Sequence, residues 1–157
     1  MRVLFVHGLM SSPEGTKACY LAERFDARTP AMDTSDFPAC VDLQRRTIEE
    51  FQPRVVVGSS FGGAVVVELL RSGAWQGPTL LLAQAALKMN PEAVLPPGAD
   101  VILVHGSLDT VVDPQHSRTL AATSGSARLI EIEDEHRLVT LTEGERLAEL
   151  VTVLGAP

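Results

Sequence analysis

Short runs of aliphatic residues, unbroken by polar alternation, recur along the chain and are separated by longer stretches with helical spacing. The runs are Arg2–Val6, a weaker one over 26–29, then 54–58, 79–83, 101–105 and Arg128–Ile132. Apolar runs without alternation are what parallel strands covered on both faces require. Between them the spacing predicts helices. One starts at Ser12-Pro13, a cap donor followed by a ring suited to the first turn, and carries Ala18, Leu21, Ala22 and Phe25. A second lies near 41–51, ending before Pro53, and a third follows Ser60 with Val65, Val66, Leu69 and Leu70. A fourth begins near Pro114. A fifth covers about 142–154, with Thr142 and Glu145 at capping-box spacing and Leu147, Leu150, Val151 and Leu154 on one face. Strands alternating with helices predict right-handed crossovers. The expected architecture is a single α/β domain over residues 1–157, a three-layer α/β/α sandwich on a mainly parallel sheet of about six strands. The proline-rich stretch from Asn90-Pro91 to Pro96-Pro97-Gly98 reads as a loop.

Chemistry concentrates where predicted strands end. Gly58-Ser59-Ser60-Phe61-Gly62 follows one apolar run directly and opens a helix directly. A serine at a tight strand-to-helix turn is exposed as a nucleophile, and its flanking glycines keep a Cβ from striking neighbouring backbone. The helix start aims unpaired N–H groups at the same place, where an oxyanion would be held. Ser59 falls on the wrong side of the spacing. Val6-His7-Gly8-Leu9-Met10 follows the first strand, and its loop offers a second backbone N–H. Leu9 is the expected oxyanion donor beside Phe61, with Met10 next and a candidate substrate contact; His7 reads as a structural hydrogen-bonding residue.

Two further loops complete the set. Val104-His105-Gly106-Ser107-Leu108-Asp109 places Asp109 near a strand end, where it can orient an imidazole. Asp113 is the rival acid, but it precedes Pro114 and suits a helix cap. His136, after the final strand in Glu133-Asp134-Glu135-His136, is the expected base for Ser60. His116 sits on an expected exposed helix and is assigned no chemistry.

Composition narrows the partners. The chain carries a net charge of −7, with no basic stripe, which excludes nucleic acid or an anionic membrane as the expected partner. Histidines are scattered without zinc spacing, and no glycine-rich loop fits a phosphate, so neither metal nor cofactor is expected. Cys19 in a helix and Cys40 in a loop are expected as free thiols. The first residues lack a signal-peptide pattern and no run nears about 20 apolar residues, so a cytoplasmic protein without a membrane span is expected.

The ordered set His7-Gly8 with Ser11-Ser12-Pro13, Gly58 to Gly62, His105-Gly106 with Asp109, and His136 resembles the α/β-hydrolase superfamily over nearly the full length. It is most similar in pattern to the small, lid-poor bacterial hydrolases and esterases. The resemblance implies a Ser60–Asp109–His136 triad. The superfamily's two strands ahead of the His-Gly strand are expected to be missing, and the segment between Ala86 and Val101 is too short for a helical cap. An open site is therefore expected, with a small carboxylic ester or thioester as the small-molecule acyl substrate. Peptidase, lactonase or acyltransferase chemistry uses the same triad, and a binding module without catalysis remains the alternative of another class.

Overall fold

The computed structural model describes residues 1–157, and in it the apolar runs form six strands: β1 (Arg2–Val6), β2 (Asp26–Arg28), β3 (Val55–Ser59), β4 (Thr79–Leu82), β5 (Val101–Gly106) and β6 (Arg128–Ile132). All pair in parallel, in the order β2-β1-β3-β4-β5-β6. The helices are α1 (Thr16–Arg24), α2 (Phe37–Phe51), α3 (Phe61–Arg71), α4 (Ala86–Met89), α5 (Pro114–Ala122) and α6 (Arg146–Leu154), with a single 3₁₀ turn at Val139–Leu141.

Each strand sends alternate residues to opposite faces, and both faces are apolar. Leu4, Val6, Val56, Leu81, Val101 and Leu103 pack against α2, α3 and α5 through Ile48, Val65, Leu69 and Leu120. Val3, Phe5, Val57, Leu80, Ile102 and Val104 pack against α1 and α6 through Leu21, Leu147, Val151 and Leu154. These are the three expected layers. The chain runs outward from β1 to β2 and then back past β1 to β3, so the order reverses between β1 and β3. In an open parallel sheet, such a reversal opens a crevice at the carboxyl ends of the strands, where ligands bind.

Several expected boundaries shift for local reasons. The first helix begins at Thr16 rather than at Ser12-Pro13. The Ser12 hydroxyl accepts the Glu14 N–H at 3.2 Å, and the Gly15 N–H bonds the Ser12 carbonyl at 3.0 Å, so the cap donor closes a turn instead. The second helix starts earlier, at Phe37, capped by Asp36 accepting the Ala39 N–H at 3.0 Å. That places Cys40 inside a helix, not in a loop. The capping box at Thr142 and Glu145 does not form: the Thr142 hydroxyl donates to the Val139 carbonyl, and the Glu145 carboxylate is taken by Arg24.

Candidate active site

The site is assembled from four loops at the carboxyl edge of the sheet. Ser60 stands between β3 and α3 with φ 53° and ψ −117°, a backbone region that costs a non-glycine residue about 1–3 kcal/mol. Its neighbours hold it there. The Ser60 N–H donates to the Leu82 carbonyl at 2.9 Å, and the Ser60 carbonyl accepts from Ala85 at 3.0 Å and Ala64 at 3.2 Å. A Cβ on Gly62 would strike the Val6 carbonyl, and one on Gly58 would meet the Gly62 carbonyl oxygen at 2.8 Å. The glycines thus let β1, β3 and the first turn of α3 close around the serine.

Ser60 Oγ lies 2.9 Å from His136 Nε2, and His136 Nδ1 lies 2.7 Å from Asp109 Oδ2. The Asp109 side chain is fully buried, that of His136 is 20 % exposed, and Ser60 is half-buried. Burial pushes the Asp109 carboxyl up, but the Val112 N–H, the His136 ring and the Val111 N–H outweigh it, and the net direction is down. Asp109 is therefore a carboxylate at neutral pH. Asp113 instead caps α5, accepting the Gln115 N–H at 2.8 Å.

The His136 loop is pinned from several sides. Asp134 accepts from the Thr140 N–H at 3.0 Å and its hydroxyl at 2.6 Å, while the Leu108 N–H donates to the Asp134 carbonyl at 3.1 Å. Burial pushes the Asp134 carboxyl up; its Thr140 and Glu135 hydrogen bonds and the Lys17 charge bring it below the usual range. Leu138, two residues past His136, is fully buried in the α1/α6 core. The half-buried Lys17 donates to the Arg137 carbonyl, and burial, with the Arg137 charge, lowers its ammonium to about 8.

The two expected oxyanion donors also lie near the serine. Phe61 immediately follows it, and a Cβ on Gly8 would sit 3.3 Å from Ser60 Cβ, which brings the Gly8-Leu9 peptide alongside. Neither the Leu9 nor the Phe61 N–H has an acceptor in the protein. Met10 is fully exposed and touches no core. His7 is buried and donates Nδ1–H to the Gly8 carbonyl at 2.9 Å while Nε2 accepts the Met32 N–H, so it shapes the loop.

No family model matches the chain, and no curated protein matches it by sequence. Solved structures do match. A protein described as an α/β-superfamily hydrolase from Xanthomonas campestris pv. campestris superposes with a TM-score of 0.77 at 20% identity, over 99% of both chains. An esterase from Exiguobacterium antarcticum gives 0.73 at 13% identity, over 99% of this chain and 92% of its own. Est1E from Butyrivibrio proteoclasticus, also solved with ferulic acid bound, gives 0.70 at 14% identity, over 97% and 88%. The chain has the α/β-hydrolase fold.

This α/β-hydrolase fold is pared down. Its six strands are all parallel, and the segment between β4 and β5 holds only the four-residue α4, so no cap covers the edge where Ser60 stands. One cleft of about 420 Å³ lies among Arg71, Trp75, Gln76 and Pro97, near the starts of β4 and β5 and hence at the opposite edge of the sheet. Another, of about 280 Å³, runs between Phe37, Val67 and Met89; neither is lined by Ser60, Asp109 or His136. No group of three or more His, Cys, Asp or Glu side chains is arranged for a metal ion, and no helix is long and apolar enough to cross a membrane.

A second Ser–His–Asp arrangement shares Asp109. His105 Nε2 lies 3.0 Å from Asp109 Oδ2, and His105 Nδ1 lies 2.7 Å from Ser117 Oγ. Ser117 and His105 are both fully buried, so no substrate reaches that hydroxyl. The sequence marks His105 only as part of the His105-Gly106 motif and gives it no role of its own, although it continues the row Val101, Leu103, 105 on the α2/α3/α5 face of β5 with a polar group. Asp134 and Lys17 carried no signal beyond charge near a histidine.

Proposed function

We propose that the protein is a serine hydrolase that cleaves a small carboxylic ester or thioester through an acyl-enzyme on Ser60. The observation that carries this is the unbroken Ser60–His136–Asp109 chain, with contacts of 2.9 and 2.7 Å at a strained strand-to-helix turn. His136 Nε2 takes the Ser60 proton as Oγ bonds to the carbonyl carbon. The Leu9 and Phe61 N–H groups, free of protein acceptors, hold the resulting oxyanion. Collapse breaks the bond to the leaving group, which receives the proton from His136. Water, deprotonated by the same ring, then releases the acid and restores Ser60. Asp109 keeps the ring oriented throughout.

The uncapped edge and the exposed Leu9, Met10, Leu108 and Val111 on the surrounding loops favour a small, partly apolar acyl substrate over a deeply enclosed one. Ferulic acid, a carboxylic acid, bound to Est1E fits the same product class.

A fluorophosphonate probe tests the assignment. Wild type should gain one adduct by intact mass, mapped to the Ser60 peptide, and Ser60→Ala none. A folded wild type that takes no adduct overturns the reading in favour of a non-catalytic binding module. A second expectation concerns Gly106. A Cβ there would press on the Asp134 and Glu135 carbonyls and displace the loop that carries His136. Gly106→Ala should slow p-nitrophenyl acetate hydrolysis about a hundredfold, the scale of an ångström's misplacement, as steady-state kinetics would show.

A further inference from the structure

The carboxylate of Asp109 lies between two imidazoles. Its Oδ1 accepts the Val111 and Val112 N–H groups at 2.8 and 2.9 Å, while its Oδ2 accepts from His136 at 2.7 Å and lies 3.0 Å from His105 Nε2. His105 Nε2 donates to the Val112 carbonyl at 2.9 Å, an acceptor only, so this nitrogen carries the hydrogen and brings it beside Oδ2. The hydrogens behind it run one way. Gln84 Oε1 accepts the Ala86 N–H at 2.7 Å, which turns its amide nitrogen toward Ser117 Oγ at 3.1 Å. The Ser117 hydroxyl hydrogen then has His105 Nδ1 as its acceptor. Gln84, His105 and Ser117 are all fully buried, and the Gln84 Cβ packs where a Cβ on Gly63 would stand. The chain therefore begins beside the first turn of α3 and ends, through Asp109 and His136, on Ser60.

We propose that His105 is a positioning residue for the Ser60 site: held as its Nε2–H form by Ser117, Gln84 and the Val112 carbonyl, it presses the positive edge of its ring against Asp109 Oδ2 and so sets the direction and strength of the Asp109–His136 hydrogen bond. The inference rests on the Ser60–His136–Asp109 reading. With Oδ1 saturated by backbone, His105 is the remaining contact that decides how much of the carboxylate's charge His136 receives. Without it, Oδ2 would face His136 alone, the imidazolium formed during the reaction would be held more tightly, and the carboxylate could pivot about the anchored Oδ1. The charged groups around the chain are few. Glu131 on β6, opposite His105, is paired with Arg118 on α5 at 3.1 Å, and Lys17 and Asp134 flank the His136 loop; Asp113 caps α5 at the surface.

The test compares His105→Leu, His105→Gln and Ser117→Ala with wild type on p-nitrophenyl acetate across pH. His105→Leu should lose about tenfold to a hundredfold in kcat with little change in KM, and the acid limb of its kcat/KM profile should move to higher pH. His105→Gln, which can place an amide N–H near the lost Nε2–H, should recover most of both. Ser117→Ala, which frees the ring to change tautomer, should move both in the same direction by less. Variants that melt lower but keep the wild-type profile and kcat overturn the proposal. Should His105→Leu fail to fold, Ser117→Ala and imidazole ¹⁵N NMR decide it. His105 must appear as the Nε2–H tautomer, and the downfield His136 Nδ1–H resonance must move in Ser117→Ala; failure of either overturns the inference. These signals need no turnover. A wild type inert to the fluorophosphonate would therefore sink the Ser60 reading while the resonances still judge His105.

Discussion

Ser60→Ala should hydrolyse p-nitrophenyl acetate on the order of 10⁴- to 10⁶-fold more slowly than wild type, the scale seen when a triad nucleophile is removed. Its fold should survive. The variant forfeits one hydrogen bond to His136, worth about 1 kcal/mol, and alanine tolerates the positive φ no worse than serine does. The same measurement on Ser117→Ala separates the two Ser–His–Asp arrangements that meet at Asp109. Ser117 is fully buried within α5 and lies against His105 rather than His136, so its loss should cost only a few-fold. A reversal, with Ser117→Ala dead and Ser60→Ala active, would transfer the nucleophile to the buried pair. Circular dichroism of both variants excludes unfolding as the cause.

Where this fold was legible in the sequence, a strong periodic signal stood behind it. The strands are buried on both faces, so every residue of Val3–Val6 and Val101–Val104 had to be apolar, and the runs marked themselves. β2 was faint because it is a three-residue edge strand with two exposed positions. Helix starts were harder, since serine, threonine and aspartate cap helices and close turns with the same oxygens. Ser12 and Thr142 each found a nearer partner than the helix, whereas Asp36 and Asp113 did cap, each just ahead of a proline in the first turn.

The candidate triad was readable because each member sits just past a strand end, and parallel strands bring those ends to one edge whatever the rest of the chain does. Its supports were not. Asp134, Lys17 and Gln84 act through contacts between segments distant in sequence, such as Lys17 of α1 to the Arg137 carbonyl and Gln84 to Ser117 of α5. His105 did leave a trace, a polar residue on a strand otherwise wholly apolar. A buried imidazole there must find partners, and it finds Ser117 and the Val112 carbonyl, which seat it beside Asp109.

Asp109→Ala should damage both rate and stability, and pH separates the two. The variant leaves the Val111 and Val112 N–H groups without their acceptor and takes the charge away from the buried His105 ring, a loss of about 2–4 kcal/mol at pH 7. Hydrolysis should fall about 10⁴-fold, because His136 loses both its orientation and the negative charge that stabilises its imidazolium. Asp109→Asn fills the space but presents an amide, so it should recover part of the stability and little of the rate. The sign of the pH dependence follows from the direction of the shift. The folded-state carboxyl lies below its unfolded value of about 3.9, so its contribution is complete above that pH and is lost as pH falls through the lower folded value. Urea melts at pH 7 and near pH 3 should show the gap between wild type and Asp109→Ala narrowing at the lower pH. A gap that stays constant would mean the carboxylate's charge adds nothing to the fold, and that Asp109 serves the site by shape alone.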